Sequence, residues 1–224
     1  MAGGIQMTET KNTLKVLKPK LSNSLSQFVL SEDSICDDAS ITEALIKDCC
    51  IENTEALRVY FKEVNFKDVQ FTNVSLHKAE LVDVRFENCD LSNLDFREAS
   101  IHRVEFINCK LVGINLSDTT LRNVAFYQCS GKYAFFRFSD CKQVVFDNCQ
   151  LPSSDFLESE FSKVEFRNTN LQECQLAGIR LKGMDFCSCD INGMVARIED
   201  VYGVIVTPLQ AVSLSRLLGI VIRE

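Results

Sequence analysis

From Ile41 to Val206 every fifth residue falls in one unbroken register, and 30 of its 34 positions are Leu, Ile, Phe or Val. Thirteen of the 16 phenylalanines share that phase, Phe61, Phe71, Phe96 and Phe136 among them. A second register, two residues earlier, holds Ala, Cys, Ser, Thr or Val except at Leu94, Ile114, Ile179, Met184, Met194 and Glu199. An α-helix would rotate successive members of such a register by about 140° and scatter them round its cylinder; a flat strand would send them alternately to opposite faces. A chain that turns a corner after each pentapeptide can point both registers inward, and four units then close a square coil of 20 residues.

Reading the chain modulo 20 tests the idea. One side stacks Phe66, Phe86, Phe106, Phe126, Phe146, Phe166 and Phe186, with Val64, Val84, Val104, Val124, Val144 and Val164 beside them. The next stacks Cys49, Cys89, Cys109, Cys129, Cys149 and Cys189, interrupted by Val69 and Thr169. Like-on-like columns are what a coil predicts when each residue lies over its counterpart at the inter-strand spacing of about 4.8 Å. The 34 units imply eight and a half coils, a rod about 40 Å long.

Segments such as Phe86-Glu87-Asn88-Cys89-Asp90-Leu91, Phe106-Ile107-Asn108-Cys109-Lys110-Leu111 and Phe146-Asp147-Asn148-Cys149-Gln150-Leu151 resemble the tandem repeats of pentapeptide repeat proteins. The alternation of Phe and Cys, followed by a short apolar carboxy-terminal segment, resembles more narrowly the quinolone-resistance subgroup, the Qnr and MfpA proteins. That resemblance covers about residues 36 to 224. It implies an all-β fold, a right-handed quadrilateral parallel β-helix, with a carboxy-terminal dimer. It also implies a rod that mimics duplex DNA to occupy DNA gyrase or topoisomerase IV, with possible fluoroquinolone resistance. The register never slips, which makes the chain similar to the members without projecting loops. The expected organisation is a leader or cap over 1–35, the repeat helix over 36–206, and a helix and strand for capping and dimerisation over 207–224.

No apolar run approaches the length that spans a bilayer, and Met1 to Thr10 lack the features of a signal peptide, so a cytoplasmic protein is expected. Of the 11 cysteines, the column and Cys174 read as small buried thiols, and Cys141 takes a large-residue position. Cys187 and Cys189 should alternate outward and inward, which disfavours a shared metal ion. Glu32, Asp33, Asp37 and Asp38 read as solvated loop charges.

The net charge of −7 is unevenly spread: 1–30 carry +3, 207–224 carry +1, and 31–206 therefore carry −11. The basic leader, with Leu14, Val16, Leu17, Leu21, Leu25, Phe28 and Leu30 among its lysines, is expected to cover the first coil. The outward charges sum to −3 on the side of Phe66 to Phe186, through Asp48, Asp68, Glu87, Glu105, Asp147, Glu165 and Asp185. They sum to −2 on the Cys-column side, through Glu52, Asp90, Glu173 and Asp190. The side of Phe61, Leu81 and Phe161 balances seven acids with seven bases. Because B-DNA carries about one charge per 1.7 Å, mimicry by such a rod is partial. Glu165, Glu173, Asp185 and Asp190, near a dimer seam, are the candidate recognition acids. Ordinary solubility charge is the competing reading. Direct nucleic-acid binding is not expected of so acidic a rod.

After Val206 the rhythm gives way to a helix signature: Thr207 as N-cap, Pro208 at the first turn, Gln210 completing a capping box, and a stop at Gly219. The helix should reach Leu218, with a short strand over Ile220 to Ile222. Leu209, Val212, Leu217, Leu218, Ile220 and Ile222 exceed what a cap needs, so a two-fold partner is expected.

Enzymatic parts are not found in the sequence. His77 and His102 fall on outward positions of different coils without a nucleophile in register, and phosphate loops, metal motifs and cofactor motifs are missing, so neither an enzyme nor a cofactor is expected. One local anomaly remains. Gly131 occupies a core position, and Tyr127, Tyr133, Phe135 and Phe138 around it take outward places. They are either an exposed hot spot for an unrelated protein, making the rod a generic interaction scaffold, or buried by the chain itself, through Tyr133 folding into the space left by Gly131 or a long leader lying across the patch. Burial is the favoured expectation.

Overall fold

The computed structural model describes residues 14–31 and 34–223. The expectations for Met1 to Thr10 and for Glu32 and Asp33 fall outside the described residues. Eight strands form one parallel sheet in sequential order: β1 (Ser26–Gln27), β2 (Ser40–Leu57), β3 (Tyr60–His77), β4 (Glu80–Glu87), β5 (Ser100–Ile107), β6 (Thr120–Tyr127), β7 (Asp140–Asp147) and β8 (Glu160–Arg167). From β2 onward the register is 20 residues, as in Phe66↔Phe86, Phe86↔Phe106 and Phe126↔Phe146. The sequential parallel order and the constant register make a β-solenoid of about seven turns, fewer than the eight and a half expected. Regular strands end at Arg167, and isolated bridges such as Asn170↔Asp190 and Asp185↔Ile205 carry the ladder further.

The corners explain the period of five. From Asp38 to Gly183 a residue with positive φ, mostly close to +55°, stands at every fifth position, including Asp83, Asn88, Asn93, Glu98 and Arg103. This left-handed region costs most side chains energy, but Asn and Asp tolerate it well. Their stacking gives them partners one coil away: Asn73 Nδ2 donates to Asn53 Oδ1 at 2.8 Å and Asn108 Nδ2 to Asn88 Oδ1 at 2.9 Å. Each coil therefore has four sides, numbered here from Leu81 (first), Phe86 (second), Leu91 (third) and Phe96 (fourth).

Inside, the large register fills the rod. Phe66, Phe86, Phe106, Phe126 and Phe146 are almost fully buried. Their rings stack nearly parallel, with centroids 4.8, 4.9, 4.7 and 4.7 Å apart. Offset stacking at this spacing adds to the burial of each ring. The column continues through Phe166 to Phe186 on the same side, as the sequence expects.

The small register has a chemical role as well as a steric one. Cys109 Sγ donates to the Phe86 carbonyl at 3.5 Å and Cys129 Sγ to that of Phe106 at 3.4 Å, while Thr169 Oγ1 donates to that of Phe146 at 3.2 Å. On the third and fourth sides Ser154 Oγ does the same for Gly131 at 2.8 Å and Ser159 Oγ for Phe136 at 2.6 Å. A short side chain with a donor satisfies a carbonyl that has no water to turn to, which is why Cys, Ser and Thr alternate here with Val and Ala. All 11 cysteines are free, and burial pushes the Cys141 and Cys174 thiols up to about 12, so both stay protonated near neutrality. Cys187 is exposed and Cys189 buried, alternating as expected.

At the carboxy end the helix α1 (Pro208–Leu214) carries the capping box on Thr207, and a 3-10 turn over Ser215–Leu218 ends at Gly219 in the left-handed conformation. The α-helix thus stops four residues short of Leu218, and no strand forms at Ile220 to Ile222, which have no ladder partner among the described residues. Gln210 closes the rod: its Nε2 donates to the carbonyls of Phe186 at 2.9 Å and Cys189 at 2.7 Å, and Leu214 packs against the core.

Gly131 is not a void. A Cβ built there would lie 2.8 Å from Leu151 Cδ2 and 3.4 Å from Leu111 Cβ, so the leucines above and below already fill its space. Sequence alone suggests that Gly131→Leu would repair the column. The packing predicts the reverse, a loss of about 1–3 kcal/mol in denaturant unfolding, and an increase in stability would refute it.

Candidate partner-binding surfaces

Two opposite corners of the rod carry its distinctive outward chemistry. The first, between the first and second sides, is covered by the leader. Instead of folding over the first coil alone, residues 14 to 20 run along the rod across the strands. The Leu14 N–H donates to Glu165 Oε1 at 3.2 Å, that of Leu17 to Asn123 Oδ1 at 3.2 Å, and that of Lys20 to Asp83 Oδ1 at 2.8 Å. Only then does the leader meet the first coil, where β1 pairs with Ala44 and Leu45, and Leu30 packs on the core. Three extended residues span about 10 Å and two coils about 9.6 Å, so every third leader N–H meets an acceptor two coils further along.

The leader shields the outward positions of this corner. Asp83, Glu105, Asn123, Ala125 and Val145 are all buried. Asp83 takes both Nε and Nη2 of Arg103 at 2.6 Å, and Glu105 takes Nη2 of Arg85 at 2.8 Å. Burial alone would raise the Asp83 pKa, but the Arg103 hydrogen bonds and the Lys20 amide hold it below the usual carboxylate value. A signal for this seam was present in the sequence: Ala125 and Val145 are apolar side chains stacked at an outward position.

The second corner, between the third and fourth sides, is open. Tyr133 is half exposed, at 51%, and Phe135 is exposed as well, whereas Phe138, 53% exposed, turns the next corner, between the fourth and first sides. The expected burial of this group by the chain itself is therefore wrong: Leu111 and Leu151 already occupy the space beside Gly131, and the leader runs along the opposite corner. The group is also smaller than expected. Tyr127 lies on the second side, half-buried, where burial and the nearby Glu105 carboxylate raise its pKa. Lys132 Nζ sits 4.6 Å from the Tyr133 ring centre, a cation–π contact. Towards the amino end the same corner becomes a polar trough of about 690 Å³, lined by Asn53, Asn73, Asn93, Asp90 and Asp95 among others.

The four candidate acids divide between the corners. Glu165 belongs to the strapped seam, where it accepts Arg167 Nε at 2.9 Å as well as the Leu14 amide. Asp185, one repeat further on, accepts the Cys187 amide at 2.9 Å. Glu173 and Asp190 lie on the third side, in the neighbourhood of the aromatic group. Glu173 accepts Ser153 Oγ at 3.0 Å and Asp190 accepts Gln172 Nε2 at 2.6 Å. Among the described residues neither has a Lys or Arg partner within ion-pair distance. The acids and the aromatic residues, read as rival sites from sequence, thus share one surface: Tyr133, Ser153 and Glu173 follow one another in one corner column, and Phe135 is bridged to Asp155.

Asp38 pairs with Arg58 and Asp37 accepts the Leu57 amide, so these two charges hold the first coil instead of being merely solvated. His77 lies 3.0 Å from Glu98 Oε1, and burial together with the Arg103 charge lowers the His102 pKa. Among the described residues no cluster of three or more His, Cys, Asp or Glu side chains could hold a metal, and no helix is long and apolar enough to cross a membrane.

Comparison with known proteins agrees with the coil. A model of the pentapeptide repeat region matches residues 79–156, and one of pentapeptide repeats in eight copies matches residues 165–194. Both matches support reading residues 79–156 and 165–194 as pentapeptide repeats. Among solved structures it is similar to HetL, a pentapeptide repeat protein involved in heterocyst differentiation regulation from the cyanobacterium Nostoc sp. strain PCC 7120, at 13% identity and a TM-score of 0.46, over 73% of this chain and 86% of that one. It is also similar to full-length QnrB1, a plasmid-mediated fluoroquinolone resistance protein, at 15% identity and a TM-score of 0.34, over 79% of this chain and 100% of that one. No curated protein matches the sequence.

If Asp83 holds both the Arg103 charge and the leader, Asp83→Ala should cost about 3 kcal/mol, the scale for orphaning a buried charge, and expose the Lys20 amide to hydrogen exchange. Glu63→Ala, one coil away in the same column, should change stability by less than about 0.5 kcal/mol. Equal losses would show that the leader is not held at Asp83.

Proposed function

We propose that this protein is a non-enzymatic, cytoplasmic binding rod whose open third side engages a cationic, DNA-binding protein surface, that of DNA gyrase or topoisomerase IV, as a partial DNA mimic. The observation that carries the reading is the placement of Glu173 and Asp190, without Lys or Arg partners among the described residues, two and three coils along the rod from exposed Tyr133. Carboxylates left unneutralised on a rigid ladder supply phosphate-like charge at fixed spacing, and exposed aromatic rings supply the anchoring that point charges lack. The partner class is supported by the resemblance of the Phe and Cys repeats to the quinolone-resistance subgroup, and fluoroquinolone resistance would be its physiological consequence. Pairing elsewhere narrows the surface: Asp83, Glu105 and Glu165 are held by arginines under or beside the leader, so they contribute little outward field.

A supercoiling assay tests this. Glu173→Lys with Asp190→Lys should weaken inhibition of gyrase by about tenfold or more, and inhibition should fall as salt rises. Glu43→Lys with Glu63→Lys, on the first side, should leave it within about twofold. No inhibition at low salt by the folded protein would sink the gyrase reading. A generic scaffold with another partner is then favoured by the same exposed aromatic group.

A homodimer through the carboxy terminus belongs to this proposal. Leu209, Val212, Leu218, Ile220 and Ile222 are all exposed, and Leu217 is half-buried, leaving more apolar surface than a cap requires. Light scattering should give twice the chain mass for the unaltered protein and the single-chain mass for Leu218→Asp with Ile222→Asp. A monomeric unaltered protein would remove the dimer from the proposal.

A further inference from the structure

The seam beneath the leader has the properties of a peptide-binding groove, and we propose that it docks an extended polypeptide segment of another protein, with the leader acting as a tethered competitor. Three observations carry this. First, the groove reads backbone: Glu165, Asn123 and Asp83 each accept a main-chain N–H, at residues 14, 17 and 20, and Arg167 Nη2 donates to the Leu14 carbonyl at 3.1 Å. The leader turns the N–H of every third residue towards the rod, and the length of three extended residues matches two coils. Second, the floor is made for apolar cover. Ala125 and Val145 stand at outward positions yet are buried.

Third, the leader is lightly held. Between residues 14 and 25 it makes no backbone-to-backbone hydrogen bond to the rod among the described residues. Leu17 is 58% exposed, and Lys15, Lys18 and Lys20 face solvent. Side-chain acceptors that recognise only main-chain amides leave the occupant's outward residues unspecified. The fitting partner is therefore an extended segment with apolar residues at its first and third positions, as Leu14 and Val16 stand in the leader, and without proline where the N–H groups are read. Tethering gives the leader a high effective concentration, so a separate segment binds well only when the leader is weakened. This groove lies on the corner diagonally opposite the open aromatic one, and its test does not depend on gyrase.

Proline substitution removes the recognised N–H groups without touching the rod. A fluorescent peptide with the sequence of residues 14–22 should bind full-length protein carrying Leu14→Pro and Leu17→Pro at least about tenfold more tightly than the unaltered protein. The same peptide with proline at those two places, identical in charge, should bind neither. Adding Asn123→Ala to the double variant should weaken the unaltered peptide, with circular dichroism confirming the fold. Equal peptide affinity for the two proteins, or equal binding by the proline peptide, overturns the proposal. So does displacement of the peptide from the double variant by unaltered full-length protein, which would make the occupant the leader of a second copy.

Discussion

The left-handed residue at each corner is the constraint on which the rest of the rod depends. It turns the chain after five residues, and it must do so without fail, because one slipped corner would move every later side chain to the wrong side of the coil. Regular turning puts each residue over its counterpart 20 positions on, and the columns follow. Phenylalanine stacks on phenylalanine, thiol follows thiol, and each short donor reaches the carbonyl of the large residue one coil back. None of these contacts is strong alone. Their repetition under one register lets a narrow coil dispense with a globular core.

The same register organises the outside, and there it works against a simple charge count. Arg58 pairs with Asp38, Arg103 with Asp83, Arg85 with Glu105 and Lys110 with Asp90, each partner 20 residues away. A ladder brings opposite charges within reach whenever successive coils alternate in sign. Much of the acidity in the sequence is consequently spent on neighbouring coils. The outward field that remains comes from acids without a basic neighbour among the described residues, Glu173 and Asp190 among them.

Periodicity made the coil, its columns, the single side holding Phe66 to Phe186 and the capping box at Thr207 legible in the sequence, since each follows from spacing alone. The leader's path was not legible. Its hydrogen bonds run from main-chain amides, which every residue possesses, to Asp83, Asn123 and Glu165, which look like ordinary solvated side chains. Ala125 and Val145 were the available sign, because two stacked apolar residues at an outward position imply a cover. Gly131 misled for a related reason: a missing side chain signals a void only when its neighbours in the column are small, and here both are leucines. The strand expected at Ile220 to Ile222 fails for lack of a partner edge, something that composition cannot reveal.

A solenoid is held by contacts between adjacent coils, so its stability is close to a sum of neighbour terms and its ends can open independently. The leader departs from that rule. By touching Glu165, Asn123, Asp83 and then Leu45, it connects coils that otherwise communicate only through the stack. Such contacts bridge as many as 153 residues of sequence, and their loop-closure entropy is regained only once the coils beneath are formed. Docking of the leader therefore requires the coils beneath it to be formed first. A segment in that position couples the order of the whole seam to whatever occupies it, whereas the open corner opposite keeps its shape from the coils alone.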